Sequence, residues 1–292
     1  WDSIKDLRGT TYVQPPTRFK FALQQAQHAI LRAITHNNPT SPASEPAWKA
    51  LILSSWLLLG RPAVNASESN CAHYLDARLE LFWAEDWSAL WAMVRSECDV
   101  APVQNTTRRT EKQQIQSRIR KVATLARTGE KGRALAAARN APPVPVTEQI
   151  VQEIKSLYPV DPEPPAPASA PISALFLSEV AELVPATLRK MPRLSEPGPL
   201  GMRAEHWYDF GSLAGNSDLF VQVVAHIAAA AVPNSVLQYL RAGQITPLAK
   251  RTGGHRPLLM MSFLRILALK SVMAAKKESV AKCAGPLQRG VG

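Results

Sequence analysis

The residues best suited to chemistry lie between Gly243 and Met260. Lys250, Arg251, His255 and Arg256 crowd around Gly253-Gly254, between two short apolar runs, Ile245 to Ala249 and Pro257 to Met260. Two successive glycines can take positive φ, which predicts a tight turn joining two strands. A proline in each run predicts edge strands and an exposed ribbon. Positive charge beside backbone amides that glycine leaves open suits a triphosphate or a nucleic-acid backbone. Arginine offers a planar fork of donors there, and lysine a mobile point charge.

A second basic concentration runs from Arg108 to Arg139. It carries Arg108, Arg109, Lys112, Arg118, Arg120, Lys121, Arg127, Lys131, Arg133 and Arg139 against only Glu111 and Glu130. Like charges one helical turn apart repel, so such a segment gains little from pairing within itself, and a phosphate-binding face explains the imbalance. The alternative is a solvated basic helix with no ligand. Ile115, Ile119, Val122 and Leu125 predict one narrow buried stripe, interrupted near Gly129 and Gly132. Over all 292 residues Lys+Arg number 34 and Asp+Glu 23, a net charge of +11. That excess favours polyanionic partners, nucleic acid or an anionic membrane face, without choosing between them.

Other chemistries fail on spacing. Cys71-Ala72-His73 with Cys98 supplies at most three metal ligands, whereas a structural zinc site closes with four. No Gly-x-Ser-x-Gly, Walker loop or Gly-x-Gly-x-x-Gly occurs. His28, His36 and His226 fall on helical patterns without an acidic partner in register, so they are read as packing or surface residues. Three distant cysteines, Cys71, Cys98 and Cys283, exclude a disulfide-rich secreted class and imply reduced thiols. A 46% hydrophobic fraction excludes wholesale disorder. The longest apolar run, Leu51 to Leu59, is far short of the roughly 18–20 residues a helix needs to cross a bilayer.

The elements that must position the cations are mainly helices. Phe19 to Ile34, Pro46 to Leu59 and Asn70 to Val94 carry apolar residues at three- and four-residue steps, and the last two hold five of the seven tryptophans. These are read as core anchors rather than stacking platforms for bases. Prolines punctuate Pro142 to Pro171; between the two proline groups Thr147 to Leu157 predicts a short amphipathic helix with a Thr N-cap. The patterns at Ile172 to Val184, Leu219 to Val232 and Pro233 to Leu240 predict three further helices, the second buried. Ser262 is read as the cap of a helix carrying Phe263, Leu264, Leu267 and Val272.

Leu-Gln-Tyr-Leu-Arg-Ala-Gly-Gln-Ile-Thr-Pro-Leu-Ala-Lys-Arg-Thr-Gly-Gly-His-Arg-Pro-Leu at 237–258 resembles the first fingers motif of reverse transcriptases from non-LTR retrotransposons, "L-x-P-L-x-K-x-x-G-G-x-R-P-I". Glu196 to Trp207 resembles the "P-G-P-S-G-L-R-A-E-H-L" element before it, and Gly285 to Gly292 the "P-x-Q-x-G" element after it. Arg289 departs from that last pattern. The segment Arg133 to Pro159 resembles the region just upstream in such proteins, so the likeness covers roughly 118–292. It implies that Lys250 and Arg256 contact an incoming nucleotide's phosphates and that Gly253 and Gly254 form the turn. It further implies that Arg118, Arg120, Lys121, Arg127, Lys131, Arg133 and Arg203 grip the nucleic-acid backbone.

The expected fold is therefore mainly α: a helical region over 1–105, a basic helical extension over 106–158, a Pro-rich linker over 159–171 and polymerase fingers over 172–292. The implied partners are an RNA template, a DNA primer and a deoxynucleotide triphosphate, with no membrane, inside the cell and in the nucleus. The family's two Mg²⁺ ions are held by palm carboxylates beyond the "Q-x-G" element, including an Ala-Asp-Asp turn. Tyr208-Asp209 lacks the paired aspartates, and Asp86, Asp99, Asp161 and Asp218 are scattered. No catalytic or metal-binding residue is assigned, and the chain alone is expected to be a fragment that does not synthesise DNA. Two rivals stand beside this reading: a non-catalytic helical nucleic-acid-binding protein, and a degenerate transposon remnant.

Overall fold

A computed structural model describes residues 11–61, 68–100, 111–139, 146–157, 173–195, 197–210, 215–250 and 253–284. The 159–171 linker and the 285–292 element lie outside them. The described chain is mainly helical. Its helices are α1 (Lys20–Thr35), α2 (Glu45–Leu59), α3 (Glu68–Trp83), α4 (Trp87–Val100), α5 (Glu111–Arg127), α6 (Lys131–Arg139), α7 (Glu148–Ser156), α8 (Ala174–Arg189), α9 (Asn216–Ala228), α10 (Asn234–Arg241), α11 (Phe263–Ala275) and α12 (Lys277–Ala284). The strands β1 (Gly243–Ala249) and β2 (His255–Met261) form one antiparallel pair.

Two helices begin at a side-chain cap. Thr147 Oγ1 accepts the Ile150 N–H at the start of α7 (3.4 Å), and Ser173 Oγ does the same for Phe176 at α8 (3.2 Å). Ser262 differs from expectation. It occupies the N-cap position of α11 but makes no capping bond, and its hydroxyl donates to the Leu240 carbonyl at 3.4 Å. Helix α8 runs through Pro185 to Arg189 instead of stopping at Val184. Proline there deprives the Ala181 carbonyl of its donor, yet Val180 and Val184 are fully buried in the packing of α8 on α9 and α11. Tertiary burial outweighs the local penalty.

One hydrophobic core draws on residues from Phe19 to Ala268. Leu23, Ile30 and Ile34 of α1, Trp48, Leu51 and Ile52 of α2, and Leu75 and Leu90 of α3 and α4 share it with Val223 and Val224 of α9, Val236 and Leu240 of α10, and Phe263, Leu264 and Leu267 of α11. Helix α1 packs on α2 and α9, while α10 packs on α2. The N-terminal helices thus share one core with α10 and α11, the helices that flank the hairpin in the chain.

Two expectations about buried faces fail. Trp48 and Trp56 are core residues, but Trp83 and Trp87 are 51% and 44% exposed. They meet Phe82 edge to face at 5.1 and 5.5 Å, flanking the turn that splits Asn70 to Val94 into α3 and α4. On α5 only the C-terminal end of the stripe is covered: Leu125 is buried with Ala134 of α6, whereas Ile115 and Ile119 are 51% and 61% exposed. The chain reverses after α5 at Gly129, whose φ is +81°, and α6 is about half as long as α5, so it covers part of that stripe only. No helix among the described residues is long and apolar enough to cross a membrane.

Candidate phosphate-binding site

The hairpin is built by its prolines and glycines. Pro247 stands directly opposite Pro257 in the register, and Leu248 opposite Arg256. Neither proline has an N–H, so this pair belongs among the non-hydrogen-bonded positions, and the bonded pairs are those one residue away. The Lys250 N–H donating to the Gly254 carbonyl (3.0 Å) continues that bonded set. The prolines also remove an outward donor from each edge, which blocks pairing with a further strand. The turn is closed by the Gly253 N–H donating to the Lys250 carbonyl (3.3 Å). Gly253 and Gly254 have φ of +88° and +74°, a conformation that costs any L side chain.

Strand alternation then sorts the tip. Arg256 shares a face with Leu248, and Lys250 lies two residues beyond Leu248, so both exposed cations project to one side. Arg251 lies outside the described residues. His255, Pro257 and Pro247 lie on the other side, where α7 packs against β2.

That packing delivers a carboxylate that the sequence analysis did not foresee. Glu153 Oε1 accepts the His255 backbone N–H at 2.8 Å, and Oε2 accepts the imidazole Nδ1–H at 2.7 Å. Donation from the His255 ring, then from its backbone amide, with the charge of Lys250 close by, holds the Glu153 carboxyl below the usual carboxylate range. A Cβ on Gly254 would lie 3.2 Å from Oε1. The only sequence signal for Glu153 is its position beside Ile150 and Ile154, the buried residues of α7.

The remaining predicted cations divide into two groups. Arg120, Lys121, Arg127 and Lys131 are exposed on α5 and α6. Arg118, likewise exposed, and Arg133 and Arg203 donate to backbone carbonyls. Arg118 Nε donates to Ala137 O at 3.0 Å and its Nη2 to Ala138 O, tying the middle of α5 to the end of α6. Arg133 donates to the carbonyls of Arg193 and Leu194, the latter at 3.0 Å, while Glu130 Oε1 accepts the Arg193 N–H at 3.0 Å. Arg203 Nη1 donates to Ser195 O at 2.5 Å. Glu205, itself buried, accepts the Leu194 N–H. The loop 191–195 is thus clamped from the basic helices on one side and from the Arg203–His206 turn on the other.

That turn is anchored in the N-terminal helices. His206 Nε2–H donates to the Tyr12 carbonyl at 2.8 Å, so Nδ1 is left to accept from the Ser55 hydroxyl at 3.1 Å. Burial lowers the His206 pKa to about 4. Gln27 donates to the His206 carbonyl (3.2 Å), and Thr11 donates to that of Gly201 (2.9 Å). Gly198 meets the root of the hairpin, where a Cβ would lie 2.2 Å from the Met261 carbonyl oxygen. The Glu196 to Trp207 segment therefore touches the end of β2, just beyond the 237–258 motif.

The Mg²⁺ implied by the resemblance has no matching donor set among the described residues. Among the described residues no three His, Cys, Asp or Glu side chains are grouped so as to hold a metal ion. Comparison with protein-family models, curated proteins and solved structures finds no match to this chain.

Proposed function

We propose that this chain is the fingers-bearing part of a retroelement reverse transcriptase, contributing phosphate contacts to template and incoming nucleotide. The observation that carries the proposal is the glycine-turned ribbon with Lys250 and Arg256 on one face. A triphosphate presents several charged oxygens within a few ångströms of one another, and an arginine fork beside a lysine point charge suits such a ligand. The exposed cations of α5 and α6 supply a separate surface for the sugar-phosphate backbone, with affinity that falls as salt rises.

The test compares the 292-residue chain with its Lys250→Ala and Arg256→Ala variants for binding of dTTP and of single-stranded RNA. The fingers reading expects each substitution to weaken dTTP binding about tenfold, with RNA affinity changed less than about threefold. A plain nucleic-acid-binding protein gives the reverse: reduced RNA affinity and no triphosphate binding to lose.

A further inference from the structure

The His255 amide and imidazole are two donors converging on one pair of oxygens, with Lys250 close enough to favour their negative charge. This is the donor set that an oxyanion needs, and Glu153 fills it. The amide belongs to a non-hydrogen-bonded pair, so it points out from the free edge of β2 and has no strand partner to satisfy it. We infer that the His255 edge of the hairpin tip, across the strand from the Lys250 and Arg256 face, is an oxyanion site plugged by Glu153 from α7, and that a phosphate group reaching round the turn to these donors must displace this carboxylate. The inference rests on the fingers reading and deepens it, because it makes α7 a gate on the same turn.

The physical reasoning is a competition. A phosphate oxygen and the Glu153 carboxylate seek the same N–H groups, and both are anionic, so they repel at that distance. The carboxylate keeps the amide and the ring satisfied while no ligand is present, which lowers the cost of leaving the turn open to water. A carboxylate serving only to brace the turn would act in the opposite direction, since its loss would loosen the donors a phosphate needs.

Glu153→Gln removes the charge at constant shape and separates the two roles. Inorganic tripolyphosphate is titrated against the full chain, its Glu153→Gln variant, and Lys250→Ala and Arg256→Ala, with His255 amide and ring NMR shifts as a second readout. Tighter binding by Glu153→Gln, about fivefold, with His255 shifts moving on titration of the unaltered chain, is the expected result. Equal or weaker binding by Glu153→Gln, where the Lys250 and Arg256 variants still lose affinity, overturns the gate and leaves the fingers reading intact. Binding that Lys250→Ala and Arg256→Ala leave unchanged, or no binding by any of the four proteins, overturns both.

Discussion

His206 donates its Nε2 proton to the carbonyl of Tyr12, 194 residues earlier in the chain, and holds its neutral form while buried. An unfolded histidine takes up a proton near pH 6.5, whereas the folded one does so only at about 4. The unfolded state therefore binds more protons between these values, and stability is lost as pH falls through that window. The span bounds the contribution at about 3 kcal/mol. Denaturant unfolding at intervals from pH 7.5 to 4 is expected to show this decline, with a shallower slope for His206→Gln. Parallel profiles for the two proteins would exclude His206 as its source.

Gly198 presses its backbone against the end of β2. A methyl group 2.2 Å from the Met261 carbonyl oxygen cannot be relieved by rotating a side chain, because the obstacle is main chain. Gly198→Ala is expected to destabilise the protein by about 2 kcal/mol, read as a lowered thermal midpoint. An unchanged midpoint would mean that the two segments do not touch.

Cations on the open surface of α5 and α6 and the arginine that clamps the 191–195 loop are expected to behave differently. Substituting Arg120, Arg127 or Lys131 by Ala should each reduce the slope of log affinity for single-stranded RNA against log salt by about 0.7, with the melting temperature unaffected. Arg133→Ala should do the opposite. It frees the carbonyls of Arg193 and Leu194 and costs about 1–2 kcal/mol of stability, with little effect on the salt slope.

The left-handed turn offers a further check on the hairpin. Gly253→Ala adds a Cβ in open space, so its cost is conformational alone, about 1–2 kcal/mol. The amide shifts of Lys250 and His255 should move toward unpaired values in that variant, while the helical circular dichroism stays the same.

Much of this architecture follows from short-range rules. Paired glycines, prolines one residue out of the hydrogen-bonded set, and Thr147 or Ser173 at a helix start act on neighbours within a few residues, so the hairpin and most helix positions are legible in the amino-acid order alone. Which side chains carry positive charge is legible too. What each cation touches is not. Arg133 and Arg203 look like Arg120 in a linear reading, and only the folded loop at 191–195 turns them into clamps on its carbonyls. Glu153 reaches His255 across 102 residues, a pairing that no local pattern encodes. Apolar stripes have the same limitation: burial is non-directional and specifies no partner, so tertiary packing decided that α1 and α2 meet α9 and α10, and that Ile115 and Ile119 stay in water.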